Sequence, residues 1–282
     1  MPFEERKLKE IEHSDRRRSI VKGFEYKTDA AESDKKADLV SNPEEYEKHF
    51  SNMKFYSISH ASFAYRDKRL FDGIAGKQCL DYCCGNGEVA VQMAAHGAGR
   101  VLGIDISRVA IDNARDLAAR EKVADRCEFR VMDAEHMEFP GSYFDVIQEY
   151  GALHHLDLKA AYAELARVLK PGGRLICTEA LRHNPLIHAY RKRTMHLRTQ
   201  WEFEHILGVP EIKMGLDYFE AVDIRFFHLL SLAAVPLRKT FFFNAILKSL
   251  ELLDEVLLRL PLVQRWAWVA VVVFSKPRKK AG

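Results

Sequence analysis

The segment C-L-D-Y-C-C-G-N-G-E-V-A, residues 79–90, constrains what this chain can fold into more than any other. A short apolar run ends in closely spaced glycines and passes directly into a helix-forming stretch. Such a turn lets a ligand approach the backbone and aims helix N-terminal amides at it. From residue 77 the same alternation repeats, with brief apolar runs that end in Asp, Gly or Pro and are separated by helical periodicity. The spacing predicts strands near Gln78–Asp81, Val101–Asp105, Cys127–Met132, Tyr143–Gln148 and Arg174–Glu179, with helices between them. The clearest amphipathic helix runs from Asp157 to Leu169, with Ala161, Leu165 and Val168 on one side, and Pro171-Gly172-Gly173 stops it. Consecutive β-α units of this kind build a parallel sheet with right-handed crossovers.

Taken alone, G-N-G-E-V-A satisfies a dinucleotide fingerprint, with Asp105 as the ribose acid, so an NAD-dependent oxidoreductase is one reading. Asp81 argues against it. Four residues before Gly85, its carboxylate would face and repel a pyrophosphate, and it suits a cationic ligand better. Asp105 ends the second strand, where it can take ribose hydroxyls. Asp133, in V-M-D-A-E after the third strand, is placed for an adenine amino group. Together the three acids describe adenosine with a positive, amino-acid-bearing tail.

On these residues the chain, from about Lys77 to Glu179, resembles the class I S-adenosylmethionine-dependent methyltransferases. L-D-Y-C-C-G-N-G corresponds to the family's glycine-rich loop, G-I-D-I-S to its ribose-binding acid and D-A-E-H-M-E-F-P to its adenine clamp. F-D-V-I and L-K-P-G-G-R-L mark the fourth and fifth strands. Cys83 departs from the pattern, standing where glycine is usual. The resemblance implies an α/β, Rossmann-like fold, a seven-stranded mostly parallel sheet with an antiparallel last strand, flanked by helices. It implies S-adenosylmethionine as cofactor, S-adenosylhomocysteine as product, and cofactor contacts from Asp81, Cys83, Gly85, Gly87, Asp105, Ile106, Asp133, Ala134 and Glu149. It also implies two final antiparallel strands, matching apolar runs at Ala221–Phe227 and Trp266–Phe274.

Methyl transfer from a sulfonium is an in-line displacement, so such an enzyme aligns the acceptor and, for a hydroxyl, removes its proton. In an open α/β sheet the reacting centre lies beyond the carboxyl ends of the strands. There the chain has E-Y-G-A-L-H-H-L-D and T-E-A-L-R-H-N-P. His154 or His155 is the candidate base, and Glu179 its orienting partner or itself a base. Paired histidines here are similar to those of sugar and natural-product O-methyltransferases, although L-H-H-L also occurs in relatives that methylate carbon. No metal is expected, because adjacent histidines in a strand or helix diverge. The H-N-P segment resembles that of a bacterial small-molecule subgroup. From it and the segment before the first strand, Tyr56, His60, His183, Tyr190 and Arg191 are candidate acceptor contacts, with Arg193 and Arg198 as further anchors for an anionic or hydroxyl-rich acceptor.

The 282 residues, 48% hydrophobic and 29% charged, suffice for one decorated domain. Residues 1–70 read as an N-terminal arm and helical lid. The first 40 are of mixed charge, a solvated helix or mobile arm, and Asn42 and Pro43 start a short helix. Residues 71–282 form the domain, with insertions at about 182–220 and 235–262. The second insertion holds an amphipathic helix with Phe243, Ile246, Leu247, Leu250, Leu253 and Leu257 on one side and Lys248, Glu251 and Asp254 on the other, its apolar side facing the core, a partner or a membrane. A net charge of +3 disfavours nucleic acid as partner and points to a small-molecule acceptor. Five cysteines without a C-x-x-C pair fit neither a disulfide framework nor a zinc ribbon. With no signal peptide and no apolar run longer than nine residues, the expected compartment is the cytoplasm. Phe241–Phe243 and the terminal K-P-R-K-K leave a membrane-peripheral contact open. The expected reaction is O-methylation of a hydroxylated sugar or natural product, with C-methylation of a prenyl or quinone-like lipid as the alternative. Outside the class, a noncatalytic interaction module remains; oligomeric state is not legible.

Overall fold

The computed structural model describes residues 3–21 and 43–278. It begins with helix α1 (Phe3–Ile20), then α2 (Pro43–His49), a 3-10 segment (Ser51–Ile58) and α3 (His60–Phe71). The repeating part follows as β1 (Gln78–Tyr82), α4 (Glu88–Ala95), β2 (Arg100–Asp105), α5 (Arg108–Arg120), β3 (Cys127–Val131), β4 (Phe144–Tyr150), α6 (Leu158–Val168) and β5 (Leu169–Ala180). A helical insertion, α7 (Pro185–Arg193), α8 (Gln200–His205) and α9 (Val209–Lys213), leads to β6 (Phe219–Phe227). After α10 (Phe243–Leu257) and α11 (Pro261–Gln264), β7 (Val269–Pro277) closes the sheet.

The seven strands are ordered β3-β2-β1-β4-β5-β7-β6. Strands β1 to β5 pair in parallel, and β7 runs antiparallel to both β5 and β6. Strand β6 therefore shares the sense of the first five, and only the last strand is reversed. Strand β7 begins three residues later than its apolar run suggests, because Trp266–Trp268 still belong to the approach from α11.

Alternation along the strands feeds two cores. Leu80, Tyr82, Leu102 and Ile104 pack with Ala161, Tyr162 and Leu165 of α6. Cys79 and Val101 pack on the other side with Ala90 and Met93 of α4 and Ile111 and Ala114 of α5. Ala161, Leu165 and Val168 are buried as their spacing requires. The five cysteines are free thiols.

Two expectations change. Helix α1 is not a solvated helix: its mixed charges find partners on the domain. Asp15 hydrogen-bonds the Ser107 hydroxyl, the Asn113 amide donates to the Arg18 carbonyl at 2.9 Å, and Asn86 donates to the Val21 carbonyl at 2.9 Å. Asp254 of α10 is buried rather than outward, because its carboxylate accepts from the backbone N–H groups of Leu229, Leu230 and Ser231 and ties down that turn. Leu253 is exposed instead, as are Phe241 and Phe242. The capping candidate Asn42, and Lys279 and Lys280 of the terminal basic run, lie outside the described residues. No helix among the described residues is long and apolar enough to cross a membrane.

Candidate active site

The carboxyl ends of β2, β4 and β5 open into a cavity of about 280 Å³. Cys83, Asp105, Ile106, Asp133 and Ala134 line one part of it. Asp105 is buried, and its two oxygens accept from the N–H groups of Gly85 and Ser107, each at 2.9 Å. Burial pushes its pKa up, against the pull of Arg18. Each carboxylate oxygen keeps a further lone pair for a hydroxyl donor. Asp133 accepts from Lys7 and from the Glu135 N–H; burial opposes its ionisation, but Lys7 holds its pKa below the ordinary value. Ala134 is fixed through its carbonyl, which accepts from Tyr82 Oη at 2.9 Å. Cys83 has φ +55°, a left-handed conformation that costs a non-glycine residue about 1 kcal/mol. Its thiol is pushed well up by burial, so it is an inert wall.

At the other end of the cavity, the loop after β4 forms a 3-10 turn, Leu153–His155, that presents two histidines. His154 Nδ1 lies 2.8 Å from Glu179 Oε2, and His155 Nδ1 lies 2.8 Å from Glu10 Oε2 of α1. Burial, with the neighbouring His155 charge, lowers the His154 pKa to about 3, so His154 is neutral near pH 7. Burial pulls His155 the same way, but Glu10 and Glu202 outweigh it and push His155 up to about 9. Glu179 is raised to about 7 by burial. Beyond the histidines stand Tyr56, Tyr190 and Arg191, all lining the cavity. Arg191 is buried, donates to the Leu181 carbonyl at 2.8 Å, and has its pKa lowered to about 10 by burial and by Arg198. Arg198 also lines the cavity and pairs with Glu202 at 3.2 Å.

Several residues singled out by sequence lie elsewhere. Asp81 does not line the cavity: it sits beneath the glycine turn, its oxygens accepting from the Ala90 N–H at 2.9 Å and the Gln148 amide at 3.0 Å. Its role is to hold the first turn of α4, so its carboxylate does not stand against a dinucleotide pyrophosphate. Gly87 is needed for packing, since a Cβ there would lie 2.7 Å from Ala114 Cβ. Gly85 is covered by the Arg18 guanidinium, which an added Cβ would meet at 2.7 Å. Glu149 is buried behind the cavity and accepts from the Ala152 and Leu153 N–H groups, so it shapes the histidine turn. His60, His183 and Arg193 are exposed and outside the cavity. The expected divergence of the adjacent histidines is also absent: in the 3-10 turn their rings lie 4.4 Å apart, tilted by 34°.

The largest contribution that sequence reasoning missed comes from α1. Arg6, Glu10, His13, Ser14 and Arg17 recur at helical spacing and all line the cavity. Arg6 pairs with the buried Glu135 at 2.6 Å. The signal was present as a polar stripe, where amphipathic analysis looks for an apolar one.

Residues 79–173 match the family described as "Methyltransferase domain". Over 102 residues the chain is 42% identical to 27-O-demethylrifamycin SV methyltransferase of Amycolatopsis mediterranei, covering 36% of this chain and 38% of that protein. Over 103 residues it is 38% identical to demethylmenaquinone methyltransferase of Lactiplantibacillus plantarum, covering 36% of this chain and 44% of that protein. The chain thus spans less than half the length of these two relatives. Among solved structures, phosphoethanolamine N-methyltransferase 2 of Haemonchus contortus, in complex with phosphomonomethylethanolamine and S-adenosylhomocysteine, shares the fold. Its TM-score is 0.56 at 20% identity, over 78% of this chain and 53% of that one.

Proposed function

We propose that the chain is a class I S-adenosylmethionine-dependent methyltransferase, which the matching domain over residues 79–173 and the similarity to methyltransferase relatives support, and that it transfers the methyl group of S-adenosylmethionine to a hydroxyl oxygen of a small molecule. The observation that carries this reading is the His154–Glu179 pair, 2.8 Å apart, opening into the same cavity as Asp105 and Asp133.

The residues present fit the cofactor. Asp105 offers spare acceptor sites on a carboxylate already fixed by two N–H groups, which suits a ribose diol. Asp133 and Ala134 offer a polar edge and a small buried wall for the base. When bound, S-adenosylmethionine supplies an electrophilic methyl on a sulfonium. The protein's own residues then do two things. Tyr56, Tyr190, Arg191 and Arg198 orient the acceptor, the arginines holding an anionic or hydroxyl-rich group through forked donors. Neutral His154 keeps its Nδ1–H on Glu179, so Nε2 takes the hydroxyl proton. Burial makes His154 a weak base, and the Glu179 carboxylate compensates by stabilising the imidazolium as it forms.

A second reading, methylation at carbon of a quinone-like or prenyl lipid, draws on the similarity to demethylmenaquinone methyltransferase and on the aromatic wall of Phe55, Tyr56, Phe63 and Trp268. Incubating the protein with methyl-labelled S-adenosylmethionine and a panel of hydroxylated metabolites, then of prenyl lipids, separates the two. Product NMR should place the label on oxygen; a label on carbon would overturn the first reading.

A further inference from the structure

The two histidines are held in the way metal-ligating imidazoles are usually held. Each has its Nδ1 engaged by a carboxylate, Glu179 for His154 and Glu10 for His155, both at 2.8 Å. That arrangement fixes the ring orientation and leaves Nε2 of neutral His154 as an available lone pair, while Nε2 of His155 becomes one when a cation displaces its proton. Glu202 of α8 supplies a third donor, its Oε1 lying 3.9 Å from His154 Nε2. One ligand atom from each of His154, His155 and Glu202 falls within 4.8 Å of the others, and all three residues line the cavity. A cation bound at about 2.0–2.2 Å to each donor needs them about 3–3.6 Å apart, so inward rotations of under about an ångström would close the set.

We propose that His154, His155 and Glu202 form a binding site for a divalent transition-metal cation of the zinc, manganese or iron class. Two imidazoles and one carboxylate on one side of the ion leave its remaining positions open toward the cavity. One bound carboxylate leaves the centre with a single net positive charge, which Glu10 and Glu179 offset from behind the rings. Arg198 Nε lies 3.2 Å from the same Glu202 Oε1 and holds that carboxylate in place. The open positions suit a hydroxyl, enolate or carboxylate oxygen. With the ion bound, His154 Nε2 is a ligand and no longer the base, and the ion itself would lower the pKa of a bound hydroxyl; that use of the ion rests on the methyl-transfer reading, whereas the ligand set itself does not.

Cobalt(II) serves as the probe, because a nitrogen- and oxygen-ligated site gives visible absorption bands. We expect the metal-stripped full chain to take up one equivalent with such bands, and zinc to displace it. Glu202→Gln and His155→Ala, each checked for native circular dichroism, should weaken uptake about 100-fold or more. Glu10→Gln, which removes only an orienting partner, should weaken it about 10- to 100-fold. Absence of bands in the wild type, or bands that persist in both ligand variants, overturns the site. Titration of the same wild-type sample with S-adenosylhomocysteine, read by calorimetry, tests the methyltransferase reading separately: cofactor binding without cobalt uptake removes the metal alone.

Discussion

Asp105→Ala is the perturbation whose size the structure best defines. The carboxylate is buried and makes two backbone hydrogen bonds, to the Gly85 and Ser107 N–H groups, each of 2.9 Å. Hydrogen bonds to a charged group contribute about 1.5–3 kcal/mol each. Asp105 itself lines the cavity, so water that enters the vacated space recovers part of that, and we expect a stability loss of about 2–4 kcal/mol. The effect on the cofactor adds to this. Two ribose hydroxyls on the same carboxylate represent about 3–6 kcal/mol, hence about 10²- to 10⁴-fold in Kd. Asp105→Asn keeps the shape and one acceptor oxygen, so it should fall between wild type and Asp105→Ala in both respects. Urea denaturation measures the first quantity and calorimetric titration with S-adenosylhomocysteine the second. A folded Asp105→Ala protein that binds S-adenosylhomocysteine as tightly as wild type would refute the placement of the ribose.

Other substitutions test the chemistry and the fold. His154→Ala should lower kcat about 10²- to 10⁴-fold. Glu179→Gln should lower it about 10- to 150-fold, the worth of one charge-assisted hydrogen bond, with acceptor KM little changed; equal kcat in both variants removes the pair from catalysis. His60→Ala and His183→Ala, both outside the cavity, should leave steady-state turnover unchanged. Gly87→Ala forces a side chain into a left-handed conformation with φ +79° and against Ala114, so thermal denaturation should show a loss of at least about 1–3 kcal/mol. His228 is buried between Ser62 and Ser231, and burial lowers its pKa to about 3. It stays neutral when folded while the unfolded chain binds a proton below about pH 6.5. Its contribution is therefore present above pH 6.5 and is lost at about 1.4 kcal/mol per pH unit as pH falls toward 3. His228→Gln should flatten that part of the stability profile, measured by urea midpoints across the range.

The sheet was legible because its strands are buried on both faces or alternate cleanly, so apolar runs and punctuating glycines mark them. Strand β7 was displaced because Trp266–Trp268 extend its apolar run into a loop. The positions at strand ends were legible too, but not their direction: sequence alone does not tell whether Asp81 points into the cavity or down onto α4. Glu149 and Asp254 show the same ambiguity, as acids whose partners are backbone N–H groups brought near only by tertiary folding. Helix α1 was misread for a different reason. Its partners, Asp133, Glu135 and His155, are more than a hundred residues away, so a row of charges that looks solvated in sequence is an ion-paired wall in the fold. Pairing of His154 with Glu179 was anticipated, whereas the role of Glu10 required the structure.

Calorimetric titration of the wild-type chain with S-adenosylmethionine, S-adenosylhomocysteine and NAD in parallel bears most directly on the central claim. The claim requires one equivalent of each of the first two and no heat from NAD. Binding of NAD without either sulfur compound would contradict it, and would return Asp105 to the ribose of a dinucleotide.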